Sequence, residues 1–226
     1  MMVPVRNINL KNKEFLEIVN EYKDALMNIE DNGKPMVANN APLSHEKDKP
    51  EDYLSDDYMN KIMDEGRMHS GFPAVLKGYG GLKWQDFEAR TNPAKAPVME
   101  ATTILNSKLI QFLSCRNNAL NACYPPGGFI SWHNNANAPG YNLIASWSET
   151  GEGWFDYYDL DKKERVRVPD EKGWNCKMTY FGPYHEEDKL CYHAAYTDCY
   201  RITIAYVFAE ANDFWEEVIE DLETEF

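Results

Sequence analysis

Apolar and polar positions follow two different rhythms along this chain, and the change comes near its middle. Over residues 12–30, Phe15, Val19, Tyr22, Leu26 and Ile29 recur every three or four positions with charged residues between them. That spacing predicts an amphipathic helix. Residues 31–53 are polar, proline-containing and highly charged, and read as an irregular segment. Ser55 is placed to cap a helix over 56–65 that stops near Gly66. Residues 66–100 read as loops, because Gly78, Gly80, Gly81, Pro93 and Pro97 punctuate them. The helical rhythm returns over 100–115, where Ile104, Leu105, Leu109, Phe112 and Leu113 form an apolar stripe.

From residue 119 the period becomes two. Short β-rich runs are expected at 119–124, 128–135, 141–149, 153–159, 164–168, 175–181, 190–196 and 200–209. Turn signals separate them: Pro125-Pro126-Gly127-Gly128, Pro139-Gly140, Gly151-Glu152-Gly153, Asp161-Lys162, Gly173 and Gly182-Pro183. About eight short strands in succession point to a two-sheet jelly roll or a small barrel. Asp213 is placed to cap a last acidic helix, 214–225. The expected fold is α+β and a single domain, 1–226. Residues 1–118 give helical and irregular support, 119–210 a double-stranded β-helix (jelly-roll) core, and 213–226 a closing helix.

Composition narrows the classes. A chain of 226 residues suits one domain with additions. Hydrophobic residues at 43% and aromatics at 13% supply a core, so most of the 14 Tyr and six Trp read as packing, Trp132 and Trp147 included. A net charge of −14 disfavours duplex nucleic acid and anionic membrane as partners. Five cysteines, an odd number with no CxxC pair, argue against a disulfide framework or a zinc knuckle and for a reducing, cytoplasmic setting. The first residues contain no long apolar run, so neither a signal peptide nor a membrane anchor is expected.

The chemistry follows from the alternation. In 128–135, Phe129, Ser131, His133 and Asn135 are expected on one face, and in 190–196, Cys191, His193 and Ala195. In 200–209, Arg201, Thr203, Ala205 and Val207 share one face, and Ile202, Ile204, Tyr206 and Phe208 the other. If the polar sets face inward, His133, Asn135, His193, Arg201 and Thr203 converge on one cavity. Buried charge is costly, so such a group needs a reason. An early His, a polar residue at plus two, a late His and then an Arg is the layout of a mononuclear non-haem Fe(II) site. There, two neutral imidazoles and a third donor occupy one face and leave the other positions open. A buried guanidinium is well matched to the distal carboxylate of 2-oxoglutarate, and Thr203 could add a hydroxyl bond. His45, His69 and His185 have no partners at useful spacing and read as surface residues.

Tyr124-x-Pro126-Gly127, followed by His133 nine residues after the Tyr, resembles the Fe(II)/2-oxoglutarate-dependent oxygenase superfamily, in its prolyl-hydroxylase-like and AlkB-like branches. Gly151-Glu152-Gly153-Trp154-Phe155 resembles the Gly-rich turn of prolyl hydroxylases, and Arg201-Ile202-Thr203 the Arg-x-Ser element. The resemblance covers roughly residues 119–210. It implies a hydroxylase with Fe(II) on His133, Asn135 and His193, and 2-oxoglutarate on Tyr124, Arg201 and Thr203. Dioxygen would be the second co-substrate, and a peptide, an amino acid or a nucleobase the substrate. The style of the N-terminal half resembles that of oxygenases of tailed phages, which extends the cytoplasmic setting to an infected host.

Asn135 departs from the family, which has Asp there. Four arrangements are open: Asn135 ligates through its oxygen, water takes the position as in two-His relatives, chloride takes it as in the superfamily's halogenases, or catalysis is lost and a jelly-roll binding protein remains. Asp156 or Glu149 swinging in is a further one. A cupin-like site ranks last, because Asn135 replaces its second His and no Glu follows at the expected distance.

Overall fold

The computed structural model of the protein describes residues 5–28, 30–31, 34–35, 48–77, 79–80, 96–208 and 214–225. Its centre is a pair of antiparallel sheets. The six-stranded sheet runs in the order β1 (Val5–Ile8), β11 (Gly173–Phe181), β8 (Gly140–Ser148), β13 (Arg201–Val207), β6 (Asn117–Tyr124) and β5 (Tyr79–Gly80). The five-stranded sheet runs β10 (Glu164–Pro169), β9 (Gly153–Asp159), β12 (His193–Thr197), β7 (Gly128–His133) and β4 (Leu76–Lys77). The strands β2 (Glu30–Asp31) and β3 (Lys34–Pro35) pair separately.

The inner faces of the two sheets pack on each other. Ile144, Phe181 and Ala205 of the larger sheet meet Phe155 and Tyr157 of the smaller one, and Tyr124 meets Ile130 and Ala195. The outer faces are covered by helices. α1 (Lys13–Asn28), α4 (Ala96–Phe112) and α5 (Phe214–Glu223) press Phe15, Leu26, Leu109 and Ile219 onto Ile202, Ile204 and Phe208. α2 (Pro50–Leu54) and α3 (Asp56–Glu65) press Leu54, Met59 and Ile62 onto Phe129, Trp132 and Ala194. Each such buried apolar side chain stabilises the fold by roughly 1.5–3 kcal/mol relative to an exposed one. The four layers therefore follow from one striped face per helix and alternating faces per strand.

Local signals set the helix starts. Asn12 Oδ1 accepts from Phe15 N at 2.9 Å, and Ser55 Oγ accepts from Tyr58 N at 3.2 Å. α4 begins at Ala96, earlier than the expected 100, with Pro97 inside its first turn. Proline is tolerated there because a first-turn N–H has no intrahelical partner to lose. Residues 31–53 and 66–100 are less irregular than expected: they contain β3, α2, β4 and β5. β1 was likewise unmarked by alternation, being only four residues long. Ile29, His45, Gly78, Gly81, Pro93 and Asp213 lie outside the described residues. All five cysteines are free and buried. Among the described residues no helix is long and apolar enough to cross a membrane.

Candidate metal and anion site

His133 reaches the space between the sheets through an irregularity. On β12, His193 pairs with His133 and Ala195 with Ile130, so Ser131 and Trp132 together oppose Ala194. This β-bulge resets the phase of β7. Ile130 and His133 line the inner cavity. Phe129 and Trp132 turn outward, where Tyr53 stacks 6.0 Å from Phe129 and Trp132 Nε1 donates to the Leu54 carbonyl at 3.2 Å. Ser131 Oγ also leaves the cavity and accepts from Val75 N at 3.2 Å. The expected common face of Phe129, Ser131 and His133 is therefore corrected: simple alternation fails across a bulge. β7 also ends at His133, so Asn135 is not on the strand. It sits in the following turn, where its carbonyl accepts from Ala138 N at 2.8 Å.

Tyr124, His133, Asn135, His193, Arg201 and Thr203 all line one cavity of about 890 Å³. At one end the His133 and His193 ring centroids lie 4.2 Å apart. His133 Nδ1 lies 2.8 Å from the Ser131 carbonyl, and His193 Nδ1 lies 2.9 Å from the Cys191 carbonyl. A carbonyl can only accept, so each Nδ1 carries the proton and each Nε2 keeps its lone pair. Burial pushes the pKa of His133 well below its usual value, and the neighbouring His193 adds to the effect. Burial also lowers His193, to about 4. Phe181 stacks on His193 at 4.8 Å and Phe155 at 5.6 Å, which fixes that ring. Two neutral imidazoles held by backbone carbonyls, with Nε2 available, are suited to metal ligation.

At this end the paired donors are the two imidazoles, and Asn135 lines the same cavity. Among the described residues no group of three His, Cys, Asp or Glu side chains is placed to hold a metal. Asp156 does not complete it. It pairs across from Ala194, is fully buried, and accepts from Arg165 Nε at 2.6 Å and from Arg167 Nε and Nη2 at 2.9 Å. Glu149 does not either: it is exposed in the turn after β8. His69, expected at the surface, is only 6% exposed. Its Nδ1 lies 3.6 Å from Glu65, and its buried Nε2 has no partner among the described residues. His185 is exposed.

The other end is charged. Arg201, 2% exposed, donates from Nε to Asp170 Oδ2 at 2.7 Å, from Nη1 to Thr203 Oγ1 at 2.6 Å and from Nη2 to Ser146 Oγ at 3.0 Å. Its Nη2 also lies 3.4 Å from Asp170 Oδ1. Asp170 follows β10 and donates its own N–H to the Gly153 carbonyl at 2.9 Å. A Cβ on Gly153 would sit 2.7 Å from Asp170 Oδ2, so the glycine makes room for this carboxylate. The Tyr124 ring lies 5.7 Å from the guanidinium, and burial pushes its phenol up to about 12, so it stays a donor. Lys177 lies in the middle of β11, 1% exposed, with Nζ 5.3 Å from the Phe155 ring. Burial, then the Arg201 charge, lowers its pKa to about 8. Asp170, Lys177 and the burial of His69 were not read from the sequence.

No protein-family model matches the chain, and no curated protein matches it by sequence. Solved structures do. The fold is similar to a Pseudomonas putida prolyl-4-hydroxylase, at 14% identity over 70% of this chain and 89% of that one, with a TM-score of 0.31. It is similar to a Trichoplax adhaerens prolyl hydroxylase in complex with a hypoxia inducible factor peptide fragment, at 11% identity over 90% and 94%, TM-score 0.38. It is also similar to OsALKBH1, at 14% identity over 70% and 94%, TM-score 0.33.

Proposed function

We propose that this protein is an Fe(II)- and 2-oxoglutarate-dependent oxygenase, most simply a hydroxylase, whose paired sheets form a double-stranded β-helix and whose metal is held by His133 and His193. One observation carries the reading. Two buried imidazoles, with ring centroids 4.2 Å apart, are each held by a backbone carbonyl so that the lone pair of Nε2 remains for a ligand. The donors fit a two-imidazole site; Asn135 lines the same cavity, and the third protein position is open to its carboxamide oxygen, to water or to chloride. When bound, Fe(II) supplies dioxygen activation coupled to oxidation of 2-oxoglutarate to succinate and carbon dioxide.

The chain's own residues do the rest. Phe155 and Phe181 exclude water from the faces of His193 and hold its ring angle. Tyr124, protonated throughout the neutral range, offers a hydrogen bond to an anion without adding charge. Arg201 and Thr203 set the polar wall opposite the imidazoles. A cavity of about 890 Å³ accommodates a co-substrate together with an amino-acid side chain or a base.

Anaerobic Fe(II) titration tests the reading. We expect one iron per chain in the wild type and at least about 100-fold weaker binding in H133A and H193A, because a direct ligand is lost. Oxygen-dependent succinate release should accompany it. A wild type that takes up no stoichiometric iron would remove the proposal.

A second reading, a non-catalytic binding protein on the same framework, is favoured by the missing carboxylate donor and by Asp170 already occupying Arg201. It predicts carboxylate binding without iron and no turnover.

A further inference from the structure

We propose that the mouth of the cavity is a subsite for a small organic anion with an apolar body, and that Arg116 sets this preference by pairing with the anionic group. That the anion is the substrate of an oxygenase rests on the function proposed above. A ruler built into β13 separates the mouth from the inner end. Arg201 and Val207 both line the cavity, six residues apart, which at about 3.4 Å per residue is roughly 20 Å. Arg201 pairs across from Tyr124 at the inner end. Val207 marks the outer end: it pairs across from Asn117 on β6 and Asn142 on β8, and its carbonyl accepts from Arg116 N at 2.9 Å. A five-carbon dicarboxylate held at the inner end does not reach this far, so the polar groups of the mouth are left for another ligand.

Charge identifies that ligand. The chain carries a net charge of −14, yet among the described residues no Asp or Glu lines the cavity. Its charged lining is Arg201, already compensated by Asp170, and Arg116. Arg116 is exposed, and among the described residues its guanidinium makes no ion pair and no hydrogen bond. A cleft lined by one sign of charge focuses its field on ligands of the other. The backbone beneath the guanidinium is fixed. The turn from α4 into β6 passes through Ser114 in the left-handed region, φ 48°, which a non-glycine residue seldom adopts, and Cys115 is buried. Asn117 and Asn137 are exposed on the same rim and offer neutral donors and acceptors. Phe72, 62% exposed, supplies an apolar face. It is seated by Gly71, where an added Cβ would lie 2.5 Å from Asn137 Oδ1. An unpaired guanidinium, carboxamides and an aromatic face together match a ligand with an oxyanion on an apolar body. A carboxylate and a phosphate monoester share that chemistry, since both accept paired hydrogen bonds from a guanidinium.

The test is calorimetric titration of the full chain, metal-free, with benzoate, phenyl phosphate and benzamide, the neutral isostere of benzoate. The wild type should bind an anion, with benzamide about tenfold weaker, and the tighter of the two anions tells a carboxylate ligand from a phosphate. R116Q should weaken anion binding about tenfold, the loss of a charge-assisted hydrogen bond. N117D, which sets a carboxylate beside an intact guanidinium, should weaken it as well. Raising the ionic strength should weaken binding to the wild type and leave R116Q unchanged. Both variants should melt with the wild type, because the exposed guanidinium has no partner to lose among the described residues. No anion binding by the wild type, R116Q binding within about twofold of it, or benzamide binding as tightly as benzoate would overturn the proposal. The two readings separate cleanly. Arg116-dependent anion binding without iron uptake upholds the subsite and removes the oxygenase. Iron uptake on the histidines without Arg116-dependent anion binding does the reverse.

Discussion

The two ends of the cavity respond to burial in opposite ways. At one end His133 and His193 give up their charge; at the other Arg201 and Asp170 keep theirs. The difference lies in proton affinity. Imidazole titrates near pH 6.5, so discharging it at neutral pH costs little, and one backbone carbonyl satisfies the N–H that remains. Guanidinium cannot lose its proton in a protein, so the chain must bring a carboxylate to it. Lys177 stands between these cases, with a pKa lowered to about 8 by burial and, among the described residues, no ion pair; Asp170, which pairs with Arg201, acts on it only at longer range. Burial therefore does not determine whether a group is charged; its reference pKa and its partner do.

The sharpest way to break this comparison is to remove the carboxylate. Asp170→Ala leaves Arg201 buried and uncompensated. It should destabilise the fold by about 3–5 kcal/mol, read as a lower denaturant midpoint. Asp170→Asn keeps an acceptor and should cost less. If the alanine variant unfolds with the wild type, the charged end is not held by this pair.

Lysine 177 gives the next effect, and pH sets its sign. Burial lowers the folded-state pKa to about 8 from the usual 10.5 of a lysine. The unfolded chain therefore holds more protons between these values, and stability rises with pH across that window. Below about 8 the penalty is present in full, on the order of 3 kcal/mol. Lys177→Met should be more stable than the wild type at pH 7 by up to that amount. The gap should close as pH climbs from 8 toward 10.5. A gap independent of pH would mean that Lys177 is not the desolvated group described.

The same contrast decides what the sequence made legible. β13 was readable because its alternation is regular where it matters. Arg201, Thr203, Ala205 and Val207 line the cavity, and Ile202, Ile204, Tyr206 and Phe208 pack under the helices. β7 was not, because alternation carries no mark of the bulge at Ser131 and Trp132. His133 reaches the cavity while Phe129 and Ser131, its expected companions, do not. The carboxylate of Asp170 was hidden by distance, since it comes from a loop 31 residues before Arg201. Lys177 did leave a signal: a cation in the middle of the run Cys176-Lys177-Met178-Thr179-Tyr180-Phe181. A lysine there must either snorkel or lie desolvated, and β11 is covered on both faces. The burial of His69 depends on tertiary packing of a loop-like segment, which local pattern does not reveal.

The smallest effect concerns how the carboxylate is admitted. Gly153 faces Asp170 Oδ2 so closely that an added Cβ would lie 2.7 Å from it, and 3.0 Å from the Tyr196 carbonyl. The first contact is with a side chain locked in an ion pair and the second is with backbone, so neither yields easily. Gly153→Ala should cost about 1–3 kcal/mol. Its origin can be separated by a double-mutant cycle. In the Asp170→Ala background the nearest obstacle is gone, and the cost of adding the methyl should fall to what the Tyr196 carbonyl and Thr197 Oγ1, 3.2 Å away, impose. If Gly153→Ala costs the same in both backgrounds, the glycine serves the strand pairing of β9 with β12 rather than the compensation of Arg201, and the two ends of the cavity are less closely tied to the turn before β9 than the geometry implies.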